Sequence, residues 1–192
     1  MKKKILIING HPDPQSFCRS LSEAYKDGAA ARGEVRYLNL STISFEPNLK
    51  YGYRKRTELE ADLVKAREWL EWANHLVFVY PTWWGTMPAV LKGFIDRVFL
   101  PGFAFRYREN SPLWDKLLTG KSAHLIVTSD TPSWFNRLVY RRAGHQVMKR
   151  NILGFCGIKP VKVTEITPVK TSTEEKRAAW LNRVKRLGSK HI

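Results

Sequence analysis

The sequence predicts an α/β protein in which a five-stranded parallel sheet is covered by helices on both faces. Two unbroken apolar runs, Lys4 to Asn9 (KILIIN) and His75 to Tyr80 (HLVFVY), suit parallel strands buried on both sides better than half-exposed ones. Each ends in a short loop and is followed by apolar residues at helical spacing. With 192 residues and no linker, repeat or low-complexity tract, the chain is long enough for a core of its own and is expected to be one domain over residues 1–192.

The first strand runs into Gly10-His11-Pro12-Asp13-Pro14-Gln15-Ser16-Phe17, after which Phe17, Leu21, Ala24, Tyr25 and Gly28 share one side of a helix. A strand, tight loop and helix leave the first helical N–H groups unpaired and aimed at the loop. That is a ready place for a phosphate, to which the Ser16 hydroxyl and the His11 ring add donors. The ligand-free alternative has Asp13 as helix cap and Pro14 as first helical residue.

Glu34 to Leu40 alternates, as a strand nearer the sheet edge does. Arg54 to Ala73 is predicted as one charged amphipathic helix, with Trp69 and Trp72 as packing and surface cover. The third strand opens into Tyr80-Pro81-Thr82-Trp83-Trp84-Gly85-Thr86-Met87-Pro88, a loop suited to a flat ring at the carboxyl end of a central strand. From Pro88, placed in the first helical turn, Val90, Leu91, Phe94, Ile95, Val98 and Phe99 form an apolar stripe, and Lys92, Asp96 and Arg97 are assigned to the wet side. Pro101 to Tyr107 is too aromatic for a plain connector and is expected to wall a pocket or an oligomer contact.

Lys121 to Ser129 is the fourth strand, with His124 packed inside it and Ser129 and Asp130 at its ligand edge. Ala143 to Phe155 is predicted as a helix and Val161 to Ile166 as the fifth strand. Thr173 to Leu187 is predicted as a basic helix that buries Ala179, Trp180, Val184 and Leu187, started by a capping box of Ser172 and Glu175. Because strands 1, 3 and 4 all end in ligand-like loops, the expected strand order is 2-1-3-4-5, that of flavodoxins, with a crevice beside strand 1.

The net charge is +16 and the pI about 10.1, which favours anionic partners: a phosphorylated cofactor, nucleic acid or an anionic membrane surface. No recognisable DNA-binding module or RNP motif is present, so nucleic acid is not the expected partner. Strand 1 ends in Asn9-Gly10-His11 rather than paired acids, which argues against a phosphoacceptor receiver. Cys18 and Cys156 lack any CxxC or zinc-ligand spacing and are expected to be buried thiols in a reducing compartment. The opening MKKKILIING reads as a strand rather than a signal peptide, and no apolar run approaches the ~20 residues of a membrane span. A soluble, cytoplasmic protein is expected.

The loop from Gly10 to Phe17, the segment from Pro81 to Phe99 and Gly102-Phe103-Ala104-Phe105 together resemble the flavodoxin-like NAD(P)H:quinone oxidoreductase family over nearly the whole chain. The resemblance implies FMN, or alternatively FAD, as cofactor, NAD(P)H as hydride donor, a quinone-like acceptor and a homodimer with its sites at the subunit interface. It assigns His11, Ser16 and Phe17 to the phosphate side and Pro81, Thr82, Trp83 and Trp84 to the ring. Gln15, Cys18, Gly85, Ser129 and Asp130 complete the candidate cofactor-binding set. Better-known members carry a glycine-rich turn and then an active-site tyrosine and histidine after strand 4. This chain has Thr128-Ser129-Asp130-Thr131-Pro132-Ser133-Trp134 there, with Tyr140 and His145 as the candidate proton donors.

A flavin site needs a flat apolar slot, backbone donors at the polar ring edge and an open face. Trp83, Trp84 and the Phe103 to Phe105 segment are expected to form the slot, and the N–H groups of Trp84 and Gly85 to meet the ring edge. The competing class is a flavodoxin-type electron carrier or regulatory flavoprotein without NAD(P)H turnover. Such carriers are usually acidic, against the charge found here. The basic surface also suggests peripheral association with anionic membranes.

Overall fold

The computed structural model describes residues 2–190. Its central sheet has the order β2-β1-β3-β6-β7, built from β1 (Lys3–Asn9), β2 (Gly33–Asn39), β3 (His75–Pro81), β6 (Ser122–Thr128) and β7 (Val161–Ile166), all paired in parallel. This is the expected 2-1-3-4-5 order, with β6 and β7 as the fourth and fifth sheet strands. Alternate residues feed opposite faces. Ile5, Ile7, Val77, Val79 and Ile126 pack under α1 (Phe17–Ala30) and α6 (Glu174–Lys190). Leu6, Ile8, Leu76, Phe78, Leu125 and Val127 pack under α2 (Ala61–Trp72), α3 (Ala89–Val98) and a π-helical stretch, Val147–Gly154. All seven residues of β3 are buried. Each of its larger apolar side chains contributes about 1.5–3 kcal/mol by leaving water, which is why the most apolar run sits at the sheet centre.

Several expectations change. Two short strands, β4 (Phe105–Tyr107) and β5 (Trp114–Lys116), form an antiparallel hairpin outside the main sheet. Phe103 and Phe105 are 6 % and 5 % exposed and belong to the core, where the Phe105 ring lies 5.0 Å from that of Phe155. They are packing residues and form no part of a slot. The helix expected from Arg54 begins only at Ala61. The one expected from Ala143 is a short α5 (Ala143–Gln146) that passes into the π-helix, and it is preceded by α4 (Ser133–Leu138). Pro88 is the N-cap of α3 rather than part of its first turn. Thr173, not Ser172, caps α6: its hydroxyl accepts from the Lys176 N–H, while Ser172 bonds Val169 and Arg177. Ala179 is exposed, and Val184 and Gly188 are the buried residues of that helix. Trp69 and Trp72 do cover the surface, the Arg36 guanidinium lying 4.2 Å from the Trp72 ring centre.

Arg97 departs furthest from expectation. It is fully buried rather than on the wet side. Its guanidinium pairs with the Glu60 carboxylate at 2.8 Å and donates to the carbonyls of Glu58 and Glu46, stapling the segment before α2 to α3.

Helices α1 and α6 meet through glycines. A Cβ at Gly28 would stand 1.9 Å from the Lys185 carbonyl oxygen, and one at Gly188 2.3 Å from that of Tyr25. Because the obstacle is backbone, Gly28→Ala must push the helices apart. It should cost about 2–3 kcal/mol, read as a lower denaturation midpoint at unchanged slope.

Candidate functional site

The loop after β1 is held by its own polar groups. Asn9 Oδ1 accepts from the His11 N–H, His11 Nδ1 from the Asp13 N–H at 2.9 Å, and Asp13 Oδ1 from the Gln15 N–H at 2.8 Å. Ser16 is the N-cap of α1, its hydroxyl oxygen accepting from the Arg19 N–H, which displaces the Asp13 cap and Pro14 start of the ligand-free alternative. The turn thus uses the N–H groups of Asp13, Gln15 and Ser16 internally, and Pro12 and Pro14 have none. The N–H groups of Phe17 and Cys18, first in the helix, are left for a ligand, together with the Ser16 O–H.

Since His11 Nδ1 is an acceptor, the neutral ring carries its proton on Nε2 and can donate there. Burial lowers the His11 pKa, with the Asp13 carboxylate and backbone opposing it, so the ring is neutral at pH 7. The Cys18 side chain points away from the loop into the core, 3.4 Å from Thr128 Oγ1, and burial pushes its thiol up to about 12. Its side chain is therefore not available to the loop.

The second loop is a two-residue hairpin. Trp83 and Thr86 exchange backbone hydrogen bonds of 2.8 and 3.0 Å, and Trp84 and Gly85 both have positive φ, +49° and +78°. This is the type I′ pattern, which favours Asn-Gly. The turn consumes the N–H groups of Trp83 and Thr86 and leaves those of Trp84 and Gly85 pointing out. Trp84 is 103 % exposed and Trp83 45 % exposed. The two loops meet directly: the His11 and Trp83 ring centres are 5.3 Å apart, edge to face. Gly144, at the start of α5, packs so closely on the turn that a Cβ there would be 2.1 Å from the Gly85 carbonyl oxygen.

A tryptophan in the left-handed region costs about 1–2 kcal/mol, and one that buries nothing recovers none of it. Strain of this kind belongs with a ligand. Trp84→Asn should therefore raise the stability of the ligand-free protein by about 1 kcal/mol while weakening flavin retention. Thermal melts with and without FMN check both halves.

The remaining candidates border the second loop, since Thr128, just before Ser129, pairs with Pro81 and accepts from the Thr82 N–H at 2.7 Å, and Gly144, just before His145, packs on Gly85. Ser129 and Asp130 clasp the chain after β7: the Ser129 carbonyl accepts from Val169, and the Asp130 carboxylate from the Lys170 N–H at 2.6 Å. Tyr140 is 54 % exposed, with its ring 5.1 Å from that of Phe135. His145 is buried, its Nδ1 3.2 Å from Glu165 Oε1 but poorly aligned for a hydrogen bond. Burial lowers its pKa, Glu165 opposing and Arg142 adding to the shift. The same carboxylate oxygen accepts from Asn136 Nδ2 and lies 3.4 Å from Arg142 Nε. This cluster anchors α4 and α5 to the edge strand, a role that nothing local in the sequence signals.

The profile of the flavodoxin-like fold family matches residues 3–187. The ribosyldihydronicotinamide dehydrogenase (quinone) of Pongo abelii is 30 % identical, over 95 % of this chain and 90 % of that protein. The crystal structure of Smu.1420 from Streptococcus mutans UA159 is 37 % identical with a TM-score of 0.85, over 99 % of this chain and 100 % of that one. The NAD(P)H:quinone oxidoreductase from Methanothermobacter marburgensis, 24 % identical, shares the fold with a TM-score of 0.83 over 100 % of this chain and 98 % of that one.

Proposed function

The chain belongs to the flavodoxin-like fold family, and from that premise we propose that it is a flavin-dependent NAD(P)H oxidoreductase that passes hydride from a nicotinamide to a quinone or similar small acceptor. The observation that carries the reading is the meeting of the two loops, where unused donors at the start of α1 lie beside an exposed, strained tryptophan turn. When bound, the flavin supplies alternating hydride acceptance and donation. FMN is the proposed cofactor and FAD the alternative, because the short first loop suits one phosphate.

In this reading the Phe17 and Cys18 N–H groups, the Ser16 hydroxyl, His11 Nε2–H and the Gln15 side chain hold the phosphate side. Pro81, Thr82, Trp83 and Trp84 bear on the ring. The N–H groups of Trp84 and Gly85 stabilise negative charge at its polar edge. Tyr140, which is exposed, is favoured over the buried His145 as proton donor to the acceptor. A homodimer belongs to the same proposal, since Trp83 and Trp84 leave large apolar side chains exposed, which a second copy would cover. Cytoplasmic residence suits the two free, buried thiols. Among the described residues no helix is long and apolar enough to cross a membrane.

The test is the visible spectrum of the protein after loading with FMN or FAD and removing excess, followed by anaerobic NADPH or NADH. A retained flavin that bleaches and recovers on adding a quinone supports the proposal. Retention without bleaching by either nicotinamide moves the carrier reading ahead, and failure to retain either flavin refutes both.

A further inference from the structure

Helix α4 and the chain to Arg142 form a surface of which the proposed reaction uses Tyr140 alone. No residue of α4 is buried. Trp134, Leu138 and Val139 are 62 %, 69 % and 54 % exposed, with Arg137, Arg141 and Arg142 exposed among them. Trp134 and Leu138 are four residues apart and share one side of the helix, while Phe135 and Asn136 turn inward and hold it through Tyr140 and Glu165. From Thr131 to Thr164 the chain has no aspartate or glutamate, and Lys149 and Arg150 add to its positive charge. Exposed tryptophan and leucine ringed by arginine is the composition of a membrane-interface anchor.

We propose that Ser133–Arg142 docks on the surface of an anionic phospholipid bilayer, Trp134, Leu138 and Val139 entering the headgroup boundary and Arg137 and Arg141 meeting lipid phosphates. Charge decides between occupants. A second copy of this face would set arginine against arginine, and a nucleic acid would leave the aliphatic side chains without an apolar partner. The surface adjoins the Trp84 turn through the Gly85–Gly144 contact, which would bring the site to lipid-dissolved acceptors. The inference uses no cofactor-binding residue, so it stands or falls apart from the flavin reading.

The experiment is co-sedimentation of the flavin-loaded protein with vesicles of phosphatidylcholine alone or mixed with phosphatidylglycerol, with oligomeric state followed by light scattering. Binding is expected only to the mixed vesicles. Trp134→Ser with Leu138→Ser, and separately Arg137→Gln with Arg141→Gln, should each weaken it by at least about tenfold. Circular dichroism and flavin content should not change, because these side chains support nothing inside. The proposal is overturned if the parent ignores anionic vesicles, or if only the arginine pair matters, which would make the binding diffuse electrostatics. It is equally overturned if the Trp134–Leu138 pair alters oligomeric state but not vesicle binding, which would assign the face to contact between copies.

Discussion

Ser16→Asp should fold at least as well as the parent and lose its flavin. Ser16 caps α1, and aspartate caps as well as serine while adding a charge that the helix N-terminus favours. That same charge occupies the place proposed for the phosphate. At about 4 Å, two like charges near a protein surface repel by ~4 kcal/mol, so FMN affinity should fall by a hundredfold or more. Ser16→Ala gives the opposite pairing: it loses about 1 kcal/mol of helix stability and roughly tenfold in affinity from one missing hydrogen bond. Stability should thus rank Asp, Ser, Ala, and affinity Ser, Ala, Asp. Thermal melts of apoprotein and fluorescence titration with FMN test the crossing. An aspartate variant that keeps its flavin would remove the phosphate from this helix start.

Arg97→Met should be the most destabilising of the substitutions considered. Methionine fills the space of the stem but donates nothing, so the Glu46 and Glu58 carbonyls and the Glu60 carboxylate lose their partner together. Glu60 is 35 % exposed and water can reach it, which limits the loss to about 3 kcal/mol, or roughly 6–12 °C in melting temperature. Arg97→Lys should recover only part, since a single ammonium cannot serve a planar, forked set of acceptors.

The network also has a pH signature. Burial acts to raise the Glu60 pKa, but the Glu46 and Glu60 N–H groups and Arg97 outweigh it and hold the pKa below its ordinary value. A depressed carboxyl contributes stability above its unfolded pKa, ~4.3, and loses it as pH falls through the folded one. The stability gap between the parent and Glu60→Gln should therefore be constant near neutrality and close in acid. A gap that persists at low pH would show that the charge is not what matters.

Arg97 also marks the boundary of what local pattern can reveal. It lies three residues after Phe94 and seven after Val90, so helical geometry puts it beside the apolar stripe, while its charge argues for water. The outcome depends on Glu46, Glu58 and Glu60, more than 35 positions away, arriving as acceptors. The aromatic run at Phe103 to Phe105 is similar: a slot or a core was equally open until Phe155 and the β4–β5 hairpin covered it. That His145 lies 3.2 Å from Glu165 was equally beyond the sequence, since the two meet only across the sheet edge.

The strands and their order were legible because unbroken apolar runs have only one cheap destination, the middle of a doubly covered sheet. Both candidate loops were visible in the sequence because a turn at the carboxyl end of a strand, ahead of a helix, leaves backbone N–H groups unpaired. Tertiary structure alone decided that Arg97 is buried against Glu46, Glu58 and Glu60 and that His145 lies against Glu165. Those outcomes depend on which distant backbone and side-chain groups come within hydrogen-bonding range, and residue spacing along one segment carries no information about that.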